Sequence, residues 1–253
     1  PGPGRYRELL GVVSTTLRGE SASDETEAMV IEAICDDDTA ERIVLSNENF
    51  LCRPGVVLAQ DGLYPKAHKS AWLRESLPSH EVEFALAIRN PATFVPEIVS
   101  RSSEAADALE GISLGDLVWS DVVADIAAAN PGAPLIVWCH EDTPFIWSEV
   151  IRELTGHDPL VELDGEFDML ETIISDDGMS RLRDFLHARG VTSQLKRRRA
   201  VSAFLEAHAI SEAVETEIDI PGWTTDTIDA LSELYEDDVR RIAQMDDVTF
   251  ISP

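Results

Sequence analysis

The stretch V-E-F-A-L-A-I-R-N-P-A-T-F-V-P-E at residues 82–97 decides the predicted fold. Large apolar residues alternate with alanines up to Ile88, which is typical of a strand buried on both faces in a parallel sheet. Arg89 follows at the predicted strand end, and Asn90-Pro91 breaks the pattern before a helical stretch. Because ligands of open α/β sheets bind beyond the carboxyl ends of the strands, Arg89 is well placed to hold an anion. The alternative is an arginine that caps a turn or pairs with a nearby acid.

The length of 253 residues and the apolar fraction of 44% suit one α/β domain with additions, or at most two domains, and we predict a single domain spanning residues 1–253. There is no run of apolar residues long enough for a membrane span. The three cysteines form no C-x-x-C pair and are interpreted as reduced thiols, which predicts a cytoplasmic protein.

The charge balance is strongly acidic, with 48 acids against 20 bases and a net charge of −28. Such a field repels nucleic acids and acidic membranes, so neither is an expected partner. Only three of the 20 bases are lysines. The acid-rich, lysine-poor composition is also what a salty habitat would favour, without any partner.

Two further buried strands are predicted at residues 43–45 and 135–139, and a terminal edge strand at 248–251. Helical spacing between them indicates βαβ units, so we expect a mainly parallel sheet with 82–88 in its centre. Helices should cover both faces of this sheet. The chain is predicted to be helical from about residue 178, with helices at 179–189, 195–209 and 228–245.

Four stretches together resemble the sulfotransferase family, in particular its bacterial members, and they span most of the chain. Ser46-Asn47-Glu48 is similar to the end of the family's second strand, and residues 87–91 are similar to the strand and turn that hold the cofactor's 3′-phosphate. Residues 135–142 resemble a later strand that ends in acidic residues before a helix. The ending at 234–250 also resembles bacterial members.

The resemblance implies a three-layer α/β fold of the P-loop sulfotransferase type. It implies transfer of a sulfuryl group from 3′-phosphoadenosine-5′-phosphosulfate to a hydroxyl of a small molecule or carbohydrate. Glu48 would be the catalytic base and Arg89 the cofactor-binding residue. The alternative is a non-catalytic relative that keeps the fold as a binding or assembly module.

Two parts of the family pattern are missing from the sequence. No G-x-x-x-x-G-K-[ST] phosphate loop occurs, so that loop either lies upstream of Pro1 or has been lost. If it is only missing, the sheet should contain a gap or an unusual filler, whereas a continuous sheet would argue for loss. The serine expected eight residues after the arginine is replaced by Glu97, whose charge should weaken binding of a phosphate. Ser100 lies one turn further along.

Two other polar clusters have plain structural interpretations. The basic run at residues 196–199 is expected to pair with neighbouring acids on a solvated face. The sequence His140-Glu141-Asp142 offers three metal-ligand types, but three consecutive residues at one strand end cannot converge on one ion, so no metal site is predicted. Cys139 lies inside the strand pattern and is expected to be a buried core thiol.

Overall fold

The structure is a computed structural model that describes residues 3–37, 39–59, 62–158, 161, 163–190, 193–214 and 220–253, without the side chains of residues 3–5 and 194. Two compact units emerge, each built from separate stretches of chain. The first comprises Pro1–Leu86, Asn90–Val137 and Ile220–Phe250, and the second comprises Ala87–Arg89, Trp138–Asp219 and Ile251–Pro253. The single-domain organisation of residues 1–253 stays a prediction.

Helices dominate the described residues. In chain order they are α1 (Pro3–Leu17), α2 (Asp24–Ile34), α3 (Ser70–Arg74), α4 (Pro91–Arg101), α5 (Ser103–Leu109), α6 (Trp119–Ala129), α7 (Thr143–Thr155), α8 (Asp168–Glu171), α9 (Asp176–Arg189), α10 (Gln194–His208), α11 (Ser211–Val214) and α12 (Thr225–Ile242). Short 3₁₀ turns lie at Pro54–Val56, Ala67–Lys69, Leu114–Asp116 and His140–Asp142. The predicted helical C-terminal portion is confirmed.

The strands are β1 (Leu58–Ala59), β2 (Gly62–Leu63), β3 (Phe84–Ile88), β4 (Leu135–Cys139) and β5 (Val248–Ile251). The first two form a small antiparallel pair. The other three form a parallel sheet in the order β3-β4-β5. The predicted α/β class with a parallel sheet is therefore confirmed, as is a strand at 248–251.

The order of the sheet corrects the predicted centre. All five residues of β4 are buried, whereas β3 is mostly half-exposed and pairs only with β4 among the described strands. The physical reason is side-chain size: L-I-V-W-C fills both faces of a central strand, while the two alanines of β3 leave little to bury. The prediction that 82–88 is central was wrong. The three strands are direct neighbours, so the expected gap is absent from this sheet.

Residues 43–45 are not a strand, which is a second correction. Ile43 and Val44 are 38% and 48% exposed. The segment is held by side chains instead of by a sheet, because the Tyr6 hydroxyl and Arg7 Nε donate to the Ser46 carbonyl at 2.7 and 3.0 Å. A short run of three apolar residues therefore did not indicate a buried strand here.

In the first unit, Asp238 of α12 is a buried cap for α6. Its side chain is 4% exposed, and its Oδ2 accepts hydrogen bonds from the backbone N–H groups of Trp119 at 2.6 Å and Ser120 at 3.0 Å. Val118, the residue before α6, provides no side-chain cap of its own. A carboxylate at a helix N-terminus satisfies unpaired donors and interacts favourably with the helix dipole. Asp238 thus ties α12 to the start of α6.

A second buried carboxylate, Glu27 of α2, fixes the turn that precedes β3. Its Oε1 accepts from Ser79 N at 2.9 Å and from His80 Nδ1 at 2.7 Å. Burial by itself would raise the pKa of Glu27, but the hydrogen bonds from His80 and Ser79 outweigh burial and lower that pKa below its usual value. The ionised form of Glu27 therefore stabilises the folded chain.

In the second unit, α9 and α10 form a close helical pair. An added Cβ at Gly178 would lie 2.5 Å from the Cβ of His208, so only glycine allows this approach. The shared core consists of buried apolar residues from α8 to α10, namely Leu170, Ile174, Met179, Leu182, Ala200 and Val201. α10 also packs against α7, and α9 against α8.

We predict that Asp238→Ala lowers the free energy of unfolding by about 2 kcal/mol, because two buried N–H groups lose their acceptor. Urea unfolding followed by circular dichroism measures this change. The control is Asp237→Ala, which removes a 69% exposed carboxylate paired with Arg240 and should cost under about 1 kcal/mol. Equal losses in the two variants would refute the capping role.

We also predict that the stability supplied by Glu27 depends on pH. Because its pKa is lowered on folding, the contribution is fully present above the unfolded value of about 4.3 and is lost as pH falls through the folded pKa. The difference in unfolding free energy between the unmodified chain and Glu27→Gln should be constant above about pH 5 and should shrink as the pH falls below about 4.3 and through the folded pKa. Glu32→Gln, on the exposed side of the same helix, is the control and should show no such trend.

Candidate functional site

Arg89 follows β3 directly, as the sequence predicts, and its side chain is half-buried. Asn90 is the N-cap of α4, and Pro91 is the first helical residue. Proline suits this position because its fixed φ is helical and the missing N–H needs no partner. The order strand, arginine, cap and helix is therefore present, while the role of Arg89 as an anion ligand stays a prediction.

The start of α4 already has its own hydrogen-bond partners. Asn90 Oδ1 accepts from Ala92 N at 2.9 Å, and the Asn90 carbonyl accepts from the N–H groups of Thr93 and Phe94 at 2.9 Å each. Asn90 Nδ2 donates to Ser232 Oγ at 3.0 Å, which fixes the side chain. An anion at this turn would have to be bound mainly by the guanidinium of Arg89, because the first helical N–H groups are occupied.

Glu48 lies in an irregular segment and not at a strand end, which corrects its predicted setting. Its side chain is 74% exposed, and Arg101 Nη1 lies 3.8 Å from its Oε2. The same guanidinium contacts Glu97 Oε1 through Nη2 at 2.6 Å. The structure thus joins Glu48 and Glu97 through Arg101, a residue that the sequence analysis missed although it lies four positions after Glu97 on α4.

This arrangement changes the expected effect of Glu97. Its charge is compensated by Arg101, so it is not an isolated negative charge. Ser100, the hydroxyl one turn along, donates to the Glu97 carbonyl at 2.8 Å. Both side chains therefore have partners on their own helix.

An aromatic cluster lies in the same unit. The ring centroids of Tyr64, Phe94 and Trp119 are 5.2–6.2 Å apart. Burial raises the pKa of Tyr64, and Cys52 and Glu48 raise it further, so the phenol stays protonated. Burial also raises the pKa of Cys52 to about 11, partly offset by Lys66 and Arg53. A thiol with this pKa is not a nucleophile at neutral pH.

The end of β4 and the turn after it contain one buried thiol and one side-chain hydrogen bond. Cys139 is 7% exposed, which confirms the predicted buried thiol. Trp138 Nε1 donates to Thr143 Oγ1 at 3.2 Å across the turn. Burial raises the pKa of Asp142, and Glu141 adds to this, while Arg198 opposes it. Within the described ranges, no three His, Cys, Asp or Glu side chains are grouped to hold a metal ion.

The basic run at 196–199 divides into two halves. Arg197 pairs with Glu166 and Arg198 pairs with Glu149, which confirms the predicted ion pairing for these two residues. Lys196 and Arg199 are exposed and line a groove between α9 and α10. Within α10, Arg197 and Arg198 therefore lie on an ion-paired face, whereas Lys196 and Arg199 lie on an exposed face.

Over the part of the chain that the structure describes, no helix has the length and apolar character needed to cross a membrane. The chain matches no protein-family model, and searches of curated proteins and of solved structures found no match either. The functional interpretation therefore depends on the geometry described above.

Proposed function

We propose that this chain is a non-catalytic, sulfotransferase-like binding module that takes an anionic phosphate or sulfate ester at Arg89. The proposal that the chain is non-catalytic is supported mainly by the surroundings of Glu48. A general base must lie within hydrogen-bond reach of the acceptor hydroxyl and gains strength where water is excluded. Glu48 is instead 74% exposed and close to the guanidinium of Arg101.

The anion-binding part is supported by Arg89. A half-buried guanidinium that directly follows a parallel strand can make bidentate, charge-assisted contacts with a phosphate. This is the contact that the resemblance assigns to the 3′-phosphate of the cofactor. Residues 1–253 contain no lysine-bearing phosphate loop, so they supply no such donors for a 5′-phosphosulfate. We therefore expect modest affinity, with the 3′-phosphate as the main determinant.

The second candidate function is sulfuryl transfer from 3′-phosphoadenosine-5′-phosphosulfate to a hydroxyl of a small molecule or carbohydrate, in a cytoplasmic bacterial enzyme with the three-layer P-loop-type fold. The specific observation that favours it is the order of β3, Arg89, Asn90 and α4, which matches the family's 3′-phosphate turn. Two observations weigh against it, and against the family resemblance on which the first candidate also depends: β3 is at the edge of the sheet among the described strands, and residues 43–45 form no strand.

We predict that adenosine 3′,5′-bisphosphate binds the unmodified chain and that Arg89→Ala weakens binding by about tenfold or more, equal to about 1.4 kcal/mol. Glu97→Ser should tighten binding by less than tenfold, because Arg101 already compensates much of the negative charge that the substitution removes. Titration calorimetry at constant salt measures both effects.

The control for this titration is Arg181→Ala, which removes an exposed arginine paired with Asp177 and should leave the affinity unchanged. Equal weakening by Arg89→Ala and Arg181→Ala would mean that only net charge matters. Tight binding that neither Arg89→Ala nor Glu97→Ser alters would place the ligand elsewhere and refute the site.

A further inference from the structure

The groove between α9 and α10 combines positive charge with exposed aromatic surface. Its volume is about 640 Å³, within the size range of ligand sites. Phe185 and Arg189 line it from α9 at a spacing of four residues. Lys196, Arg199 and Ala203 line it from α10 at spacings of three and four residues, so they form one stripe.

The cations of this groove differ from their neighbours on α10. Arg197 and Arg198 are largely covered, at 24% and 21% side-chain exposure, and each has a carboxylate partner. Arg189, Lys196 and Arg199 are exposed, and none of the three has an ion pair with a described residue. The chain has 48 acids, yet these three neighbouring cations have no carboxylate partner among the described residues.

The local sequence explains this lack of carboxylate partners. From residue 189 to residue 199 there are five bases and no acid. Gly190, with φ of 54°, ends α9, and α10 begins four residues later, so the bases at the two helix ends come together. No acid of this segment is available to neutralise them.

Aromatic surface lies between the cations. Phe185 is 39% exposed, and its ring centroid is 5.9 Å from that of Phe204. The Arg189 guanidinium lies 5.7 Å from the centre of the Phe185 ring, a cation–π distance that leaves the outer face of Arg189 for a ligand. The groove therefore offers charge-assisted hydrogen bonds at its rim and an apolar surface at its floor.

We propose that this groove docks a short acidic segment of a partner protein, with an apolar side chain against Phe185 and Phe204 and carboxylates on Arg189, Lys196 and Arg199. This inference is independent of the anion site at Arg89. An inorganic anion would leave the aromatic floor unfilled. A nucleic acid would extend its regular charges over a surface whose net charge is −28, and that surface repels it. A short acidic segment places its charges only where the cations are.

The probe is a fluorescein-labelled peptide of glutamates around one central phenylalanine, followed by fluorescence anisotropy at about 0.15 M salt. We predict saturable binding that the double variant Lys196→Gln/Arg199→Gln weakens by about tenfold or more. A peptide with glycine in place of the phenylalanine should also bind more weakly, because it loses the contact with the aromatic floor.

The matched control is Arg181→Gln/Arg240→Gln, which changes the net charge equally but removes exposed arginines outside the groove that are paired with Asp177 and Asp237. It should leave the affinity for the peptide unchanged. All four side chains are exposed, so circular dichroism should show that both double variants are folded.

Three results would overturn the proposal. The first is no anisotropy change up to about 1 mM protein. The second is equal weakening in the two double variants, which would show that only net charge matters. The third is evidence that something else occupies the groove. Such evidence would be tighter binding of a single-stranded oligonucleotide of the same length. Self-association of the unmodified chain that the Lys196→Gln/Arg199→Gln variant abolishes would be equivalent evidence. Retained binding of adenosine 3′,5′-bisphosphate by that variant separates this test from the one at Arg89.

Discussion

The strand Leu135–Cys139 has to be buried on both faces, and the parallel sheet is organised around that requirement. All five of its side chains are at most 9% exposed. Burying a Leu, Ile or Val side chain contributes about 1.5–3 kcal/mol, so few exposed arrangements of this segment could compete. A central strand also needs hydrogen-bond partners on both edges. Phe84–Ile88 supplies one edge, and Val248–Ile251 returns from the far end of the chain to supply the other.

Much of this fold could be predicted from the sequence, because periodicity reports burial. The three strands of the parallel sheet and the helices of the last third were found in this way. Their order was not, since a strand of alternating large residues and alanines has the same pattern at the edge as in the centre. The strand predicted at residues 43–45 failed for another reason. Its surroundings provide side-chain partners, such as Tyr6 for the Ser46 carbonyl, which no local pattern reveals.

The candidate site, like the fold, could be predicted from the sequence only in part. Arg89 was located correctly relative to its strand and helix, because Asn90-Pro91 is a local signal for a helix start. The predicted position of Glu48 at a strand end depended on the strand at 43–45 and was wrong with it, while the catalytic role of Glu48 stays a prediction. Arg101, which contacts both Glu48 and Glu97, is separated from Glu48 by more than fifty residues, so their contact could not be seen in the sequence. In the basic run at 196–199, the turn of the helix separates ion-paired arginines from exposed cations.

The central claim is that the chain binds an anionic ester without transferring its sulfuryl group. The most direct measurement is transfer from radiolabelled 3′-phosphoadenosine-5′-phosphosulfate to a phenolic and a carbohydrate acceptor, with and without the protein. The account predicts the same rate for the unmodified chain, for Glu48→Gln and for buffer alone. Transfer above the buffer rate that Glu48→Gln abolishes would contradict it. The matched control, Glu104→Gln, removes another exposed, arginine-paired carboxylate and would retain that transfer.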